Sequence, residues 1–201
     1  MPDRLVPDAA GVARAADLLR DGDLVAFPTD TVYGIGCRVG DPEALARLFA
    51  AKRRPPEKAV PWLVGSFEQV ARLGFPGDAR AERLAERFWP GALTIVLPAG
   101  ESGATQAFRV PDHPVTLALL AAAGPLAVSS ANRSGEPETL DADDVAIAFA
   151  DSDEPTATLD GGRVPGGIAS SVVDLTGQRA RLVREGALSR AEIEGVIGPI
   201  D

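Results

Sequence analysis

The sequence predicts one α/β domain, with helices and short apolar strands layered around a single core. Three observations carry the prediction. Amphipathic helical segments alternate with short apolar runs through most of the chain, the pattern of a sheet covered by helices. A length of 201 residues is enough for one sizeable core and too short for two ordinary domains. No internal repeat or long linker interrupts the chain, so residues 1–201 are read as one domain.

Each element has its own signal. A first helix is expected over Ala9–Arg20, where Val12, Ala15, Ala16 and Leu19 share one face and Asp21-Gly22 ends the run. Residues 24–27 form a short apolar strand. Asp41 is placed to cap a helix over 42–52, because its carboxylate can take a free N–H of the first turn and Pro42 has none to leave unpaired. Residues 60–64 are a strand. Ser66 and Gln69 make a capping-box pattern for a short helix, and another helix covers 78–88. Strands at 93–97 and 107–110 precede a helix over Pro114–Ala123, a buried strand at 126–129 and a helix over 141–149. Three strands follow near 157–160, 171–175 and 181–184. Ser189 and Glu192 repeat the capping-box pattern before the last helix.

Charge and rare residues exclude several classes. The net charge is −9, which opposes non-specific binding of a long nucleic acid, since that affinity comes from phosphate neutralisation. Yet Lys52, Arg53, Arg54 and Lys58 are close together, and one compact basic cluster on an acidic chain suits a small polyanion. Cys37 is the only cysteine and His113 the only histidine, which excludes an intrachain disulfide and opposes a Cys/His zinc site. Cys37 is read as a small core residue. A histidine-based nucleophile mechanism would have to use His113, in an Asp-His-Pro turn. No apolar run reaches membrane-spanning length and no signal-peptide core follows Met1-Pro2-Asp3-Arg4, so a cytoplasmic protein without membrane contact is expected.

Six polar segments between the elements could carry chemistry. Pro28-Thr29-Asp30-Thr31-Val32-Tyr33-Gly34-Ile35-Gly36 follows a strand and either presents hydroxyls to a ligand or is a polar turn bonded to itself. Lys52-Arg53-Arg54-Pro55-Pro56-Glu57-Lys58 ends a helix, where the dipole favours cations, but the stiff proline pair and the arginine forks also suit a triphosphate. Ser129-Ser130-Ala131-Asn132-Arg133-Ser134-Gly135 is either an ordinary turn or an anion cradle, and it lacks the Walker pattern. In Thr105-Gln106-Ala107-Phe108-Arg109-Val110-Pro111, Arg109 is an edge charge or a buried carboxylate clamp. Gly166-Gly167-Ile168-Ala169-Ser170-Ser171 and Arg184-Glu185-Gly186 complete the set and are weak alone.

In order, the blocks FPTDTVYGIG, KRRP, WPGALTIVL, FRVPDHP, SSANRSG, LDGG, SSVVDL and LVREGAL resemble the YrdC-like family, the threonylcarbamoyl-AMP synthases. The resemblance extends over residues 24–188 and is similar to the single-domain form of the family. It implies a twisted mixed parallel and antiparallel sheet with surrounding helices and an open concave site. Lys52 and Arg54 match the family's Lys-x-Arg pair, and Ser130 and Asn132 its Ser-x-Asn pair; these four are the catalytic set that the resemblance implies. Arg54, Lys58, Thr105, Ser130, Glu138 and Arg184 fall at ATP-contacting positions. Thr31, Leu63, Arg109, Val128 and Ser170 fall at positions that contact L-threonine. Leu63 replaces a histidine of some relatives, Glu138 a common serine, Ser171 a common threonine and Ser129 a common proline.

The implied reaction condenses L-threonine, bicarbonate or CO2, and ATP into L-threonylcarbamoyl-AMP, the precursor of the t6A modification of tRNA. It is a nucleotidyl transfer. A threonine carbamate would attack the α-phosphate and expel pyrophosphate, a step that depends on alignment and charge neutralisation. No carboxylate cluster reads as a metal cage, so Mg2+ is expected to arrive with ATP. Removing Lys52 or Arg54 is expected to abolish turnover and leave the fold intact. The implied partners are the downstream tRNA threonylcarbamoyl transferase proteins, with transient tRNA contact. An RNA-binding paralogue without synthase activity is the competing reading; the intact Lys-x-Arg, Ser-x-Asn and Arg109, and the charge of −9, oppose it.

Overall fold

The computed structural model describes residues 2–55, 59–99, 104–166 and 168–201. Its strands are β1 (Asp3–Leu5), β2 (Val25–Pro28), β3 (Tyr33–Arg38), β4 (Trp62–Leu63), β5 (Leu93–Pro98), β6 (Thr105–Arg109), β7 (Leu126–Ser130), β8 (Ala157–Leu159), β9 (Ser171–Asp174) and β10 (Arg181–Arg184). The helices are α1 (Ala9–Arg20), α2 (Pro42–Ala51), α3 (Phe67–Arg72), α4 (Ala79–Phe88), α5 (Pro114–Ala123), α6 (Ala142–Ala148) and α7 (Arg190–Ile197). All ten strands join one sheet in the order β1-β8-β2-β3-β7-β4-β6-β5-β9-β10. The sheet is mixed: β1 and β2 run parallel to β8, β4 to β6 and β5 to β9, while the other neighbours are antiparallel.

The helix starts follow the capping chemistry. Asp8 accepts from Gly11 N at 2.8 Å and Asp41 from Ala44 N at 2.9 Å, each satisfying a first-turn N–H that has no helical partner. Lys52 is the C-cap of α2 and lies just outside the helix. At Ser189 the capping box is complete. At Ser66 only half forms: Ser66 accepts from Gln69 N, but the Gln69 side chain turns back to Gly65 N at 2.8 Å.

Two strands run against the sequence reading. β1 is a short edge strand of mostly exposed residues, with no apolar alternation to mark it. β3 occupies the end of the segment read as a polar turn. Gly34 and Gly36 look like turn residues, but they sit mid-sheet because a Cβ at Gly34 would meet Val128 Cγ1 at 2.8 Å and one at Gly36 would meet Val128 Cγ2 at 3.0 Å. The glycines make room for a neighbouring valine.

Successive residues of a strand face opposite sides, and the helices divide those sides unequally. On one face α2 and α6 pack on Tyr33, Ile35, Cys37 and Ala127. Further along that face α3, α4 and α7 cover Leu93, Ile95, Phe108 and Val173. Trp62 packs against both groups, meeting Phe108 at 5.7 Å and Phe75 at 5.8 Å, edge to face. On the other face α1 and α5 cover Val25, Phe27, Leu126 and Val128. The remaining half of that face, across β4, β6, β5 and β9, carries the cavity described next.

Candidate active site

The cavity has a volume of about 340 Å³, and the strands that build it alternate between core and cavity residues. Thr94 lies between Leu93 and Ile95, and both of these are fully buried in the core behind. Ala107 and Arg109 flank buried Phe108 in the same way. Leu63, Val128 and Val172 supply apolar floor, while Gly34 and Ala107 keep it low. Thr29, Thr31, Thr94, Ser129, Ser130 and Ser170 bring hydroxyls to it. Among the described residues Arg54, Arg109 and Arg184 bring positive charge, against one lining carboxylate, Glu138.

Arg109 is buried, 8 % exposed, so it is not an edge charge reaching solvent. Its Nε donates to Gly91 O at 3.0 Å, Nη1 to Thr31 Oγ1 at 3.2 Å and Nη2 to Asp30 Oδ1 at 2.6 Å. A guanidinium has five N–H donors, so two remain for a ligand. Thr31 is fixed in turn by Thr29, oxygen to oxygen 3.0 Å. The first polar segment therefore does both things the sequence allowed: it bonds to itself and it faces the cavity.

Ser170 and Ser171 divide their roles. Ser170 faces the cavity, with its hydroxyl 2.8 Å from Thr94 Oγ1. Arg184 reaches in from β10, donating from Nε to Ser170 O at 3.0 Å and from Nη2 to Ser170 Oγ at 3.3 Å. Ser171 is fully buried; its hydroxyl donates to Leu188 O at 2.6 Å and accepts from Gly186 N at 2.8 Å and Leu188 N at 3.0 Å. It ties the β10–α7 connection to the sheet.

The basic cluster separates in space. Lys52 is 1 % exposed and outside the cavity lining; its Nζ donates to Ser130 O and Asn132 O. Burial, with repulsion from Arg54 and Arg133, lowers its pKa from 10.5 to about 8. Arg53 adopts a left-handed φ of 50° and turns outward to Asp151 at 2.6 Å. Arg54 lines the cavity and donates to Ala59 O at 2.9 Å. Its Nε is buried without a partner, a donor free for a ligand. Lys58 lies outside the described residues.

Of the other expected residues, Asn132 is buried beside the cavity, not in its lining; Nδ2 donates to Glu136 O at 2.6 Å and Oδ1 has no partner. Thr105 is exposed at the start of β6, paired with Pro98 and away from the lining. Ser130 and Glu138 are brought together with Thr31, Leu63, Arg109, Val128 and Ser170. Leu63 is 4 % exposed and offers an apolar surface where some relatives have histidine. Residues of the site that the sequence reading did not select include Thr29, Thr94, Ser129 and Ala169. Thr94 had a visible signal, a lone hydroxyl in the apolar run Leu93-Thr94-Ile95-Val96-Leu97.

Cys37 is fully buried and burial pushes its thiol up to about 12, so no thiolate is available there. His113 is outside the cavity lining, and burial lowers its pKa. Among the described residues no group of three His, Cys, Asp or Glu side chains could hold a metal.

Comparison with known proteins places this geometry. The Sua5/YciO/YrdC family model, described as telomere recombination, matches residues 17–186. A threonylcarbamoyl-AMP synthase of Bacillus subtilis is 38 % identical over 98 % of this chain and 60 % of its own length. One from Pyrococcus abyssi is 43 % identical over 92 % of this chain and 57 % of its own. A putative threonylcarbamoyl-AMP synthase of Mycobacterium tuberculosis is 38 % identical over 94 % of this chain and 89 % of its own. The chain thus spans about 60 % of the length of the first two relatives and most of the third. The crystal structure of P. abyssi Sua5 complexed with L-threonine matches with a TM-score of 0.90 at 39 % identity, over all of this chain and 62 % of that one. Escherichia coli YciO matches at 0.82 and 24 % identity over 96 % of this chain and 98 % of its own, a likeness of fold.

Proposed function

The chain belongs to the Sua5/YciO/YrdC family, and from that premise we propose that it is a threonylcarbamoyl-AMP synthase joining L-threonine, bicarbonate and ATP. The observation that carries the reading is one cavity holding a buried arginine with two free N–H groups, a set of hydroxyls and two further arginines. An amino acid and a nucleotide phosphate chain need those two kinds of donor side by side.

In this reading Arg109 takes the threonine carboxylate, with Thr31 and Ser170 beside it and Leu63 and Val128 against the aliphatic part. Arg54, Ser130 and Arg184 hold the phosphates, Lys58 and Thr105 are assigned to ATP by the family resemblance alone, and Glu138 lies at the nucleotide. Asn132 lies at the carbamate, its unpartnered Oδ1 placed to accept the carbamate N–H. Lys52 serves from behind: by holding the carbonyls of Ser130 and Asn132 it sets the loop that presents both side chains.

The amine and bicarbonate give a carbamate with loss of water. A carbamate oxygen then bonds to the α-phosphorus as the bond to the pyrophosphate oxygen breaks. Arginines that already point into the cavity neutralise the departing charge without first rearranging. The reaction is a nucleotidyl transfer, with Mg2+ carried in on ATP; one carboxylate among arginines suits a metal that the nucleotide brings. The product, a reactive mixed anhydride, calls for transfer proteins that act on tRNA, and tRNA itself touches this chain transiently. Among the described residues no helix is long and apolar enough to cross a membrane, in keeping with work in the cytoplasm.

The test is incubation of the purified chain with Mg2+–ATP, bicarbonate and L-threonine, following pyrophosphate and the mass of the adenylate. Pyrophosphate release that requires both threonine and bicarbonate is the expected result. A folded chain that binds ATP and makes no adenylate would overturn the reading.

A further inference from the structure

We propose that Asp30 is a positioning residue for amino-acid recognition, fixing the guanidinium of Arg109 so that its two remaining N–H groups meet the substrate carboxylate. This rests on the reading of Arg109 as the carboxylate clamp. Asp30 belongs to neither the catalytic nor the ligand-contacting set derived above.

The geometry is that of a three-point mount. Gly91 O, Thr31 Oγ1 and Asp30 Oδ1 each take a different nitrogen of the guanidinium. Gly91 lies just before β5, and Asp30 and Thr31 lie in the β2–β3 turn, so two separate segments hold a side chain that rises from β6. Of the three acceptors only Asp30 is charged, and its bond is the shortest at 2.6 Å. Charge-assisted bonds are the stronger ones, so this contact dominates the orientation. The pair is secluded, with side-chain exposures of 9 % for Arg109 and 16 % for Asp30.

Placement separates the roles of the two partners. Arg109 and Thr31 line the cavity and Asp30 does not, so the carboxylate acts on the arginine from behind. A planar fork recognises a carboxylate only in the plane of its N–H groups, and arginine's flexible stem does not set that plane by itself. Without Asp30 two neutral acceptors remain, and the fork is free to turn. Asp30 also leaves Arg109 as half of a neutral pair. The site then selects a carboxylate by direction, not by bare positive charge.

The test is calorimetric binding of L-threonine, L-threoninamide and Mg2+–ATP to the full chain and to Asp30→Asn, Asp30→Ala and Arg109→Ala. Threoninamide lacks the carboxylate and so reports the rest of the pocket. Asp30→Asn keeps the size and an acceptor, and a cooperative melting transition checks its fold. It should weaken L-threonine about tenfold, as expected for losing the charge from one hydrogen bond, and Asp30→Ala should weaken it further. Threoninamide and ATP should change by less than about twofold, so the preference for threonine over its amide shrinks. Equal losses for all three ligands would mean a merely structural role and overturn the proposal. Unchanged threonine binding would overturn it too, and tighter binding would show that Asp30 competes with the substrate for Arg109. If the unaltered chain binds no threonine, or Arg109→Ala binds it normally, the clamp reading itself falls and this inference with it.

Discussion

Lys52 shows how a residue's neighbours can reverse its reading. In sequence it is one of four cations within seven positions, and phosphate binding is the natural inference. In space it is sealed against two carbonyls, with Arg54 and Arg133 as repelling neighbours. Lys52→Ala therefore acts on the fold as well as on turnover, in contrast to the clean loss expected from the sequence. Two unpaired buried carbonyls cost about 1–3 kcal/mol each, less whatever water enters to bond them. Its pH signature has a definite sign. Below about pH 8 the amine is charged in both the folded and the unfolded chain, and the burial penalty is fully present. Between about 8 and 10.5 the unfolded chain binds more protons, so the stability contribution rises with pH. The melting temperature of the unaltered chain relative to Lys52→Met should climb across that window; a flat difference would mean an ordinary lysine. Arg54→Ala is the contrasting case, since Arg54 is only half buried and lines the cavity. It should remove most adenylate formation and leave the urea midpoint nearly unchanged. Ser171→Ala should do the reverse. It leaves two part-buried N–H groups without their acceptor, lowering stability by about 1 kcal/mol in urea unfolding, with kcat nearly kept.

At the scale of the element, β3 decides what the sheet can hold. Gly34 and Gly36 let Val128 lie across the strand, and Gly34 is part of the cavity wall. Gly34→Ala should cost about 1–3 kcal/mol by overpacking, read from the urea midpoint. Adding Val128→Ala should return part of that loss, because the clash is with Val128 Cγ1 at 2.8 Å. A double variant no more stable than Gly34→Ala would place the strain elsewhere. The same strand marks the limit of what local sequence reveals. Helices with an aspartate or serine cap could be placed from the cap itself, as at Asp41 and Ser189. β3 could not, since a glycine that admits a neighbour's side chain and a glycine that turns the chain are written alike. The site was legible as polar segments, and Thr31, Ser130, Arg109, Ser170 and Arg184 do line one cavity. What stayed hidden was direction. Arg53 and Arg54 are adjacent, yet one pairs with Asp151 and the other enters the cavity. Ser170 and Ser171 divide between cavity and core for the simpler reason that strand neighbours face opposite ways.

At the scale of the whole molecule, the acidic balance and the cationic cavity oppose each other. A net charge of −9 surrounds a lining that, among the described residues, holds three arginines and one carboxylate. On the proposed function, ATP would approach a repelling surface and enter an attracting pocket, and salt screens both effects over about 10 Å at 0.1 M. Phosphate contacts inside the cavity are partly sheltered, but Arg184 is exposed and Arg54 only half buried. On the proposed function, affinity for ATP should fall several-fold when salt rises from about 0.05 to 0.5 M, while that for L-threonine, assigned to the buried Arg109, should change little. Equilibrium titration of each ligand across a salt series checks this. A threonine affinity as salt-sensitive as that for ATP would mean that the clamp is open to solvent.

The alternation of cavity and core residues along β5 and β6 has a consequence for how such a protein can change. Each cavity-facing position has neighbours on both sides that belong to the packed layer behind, as Thr94 lies between Leu93 and Ile95. What a substrate feels and what keeps the chain folded are thus written on alternate letters of the same strand. Residues 107 and 172, which are only half-buried, can vary in size and polarity while the letters between them stay fixed. Lineages could then retune the pocket for a new acyl acceptor in single steps, with little debt to stability at each one.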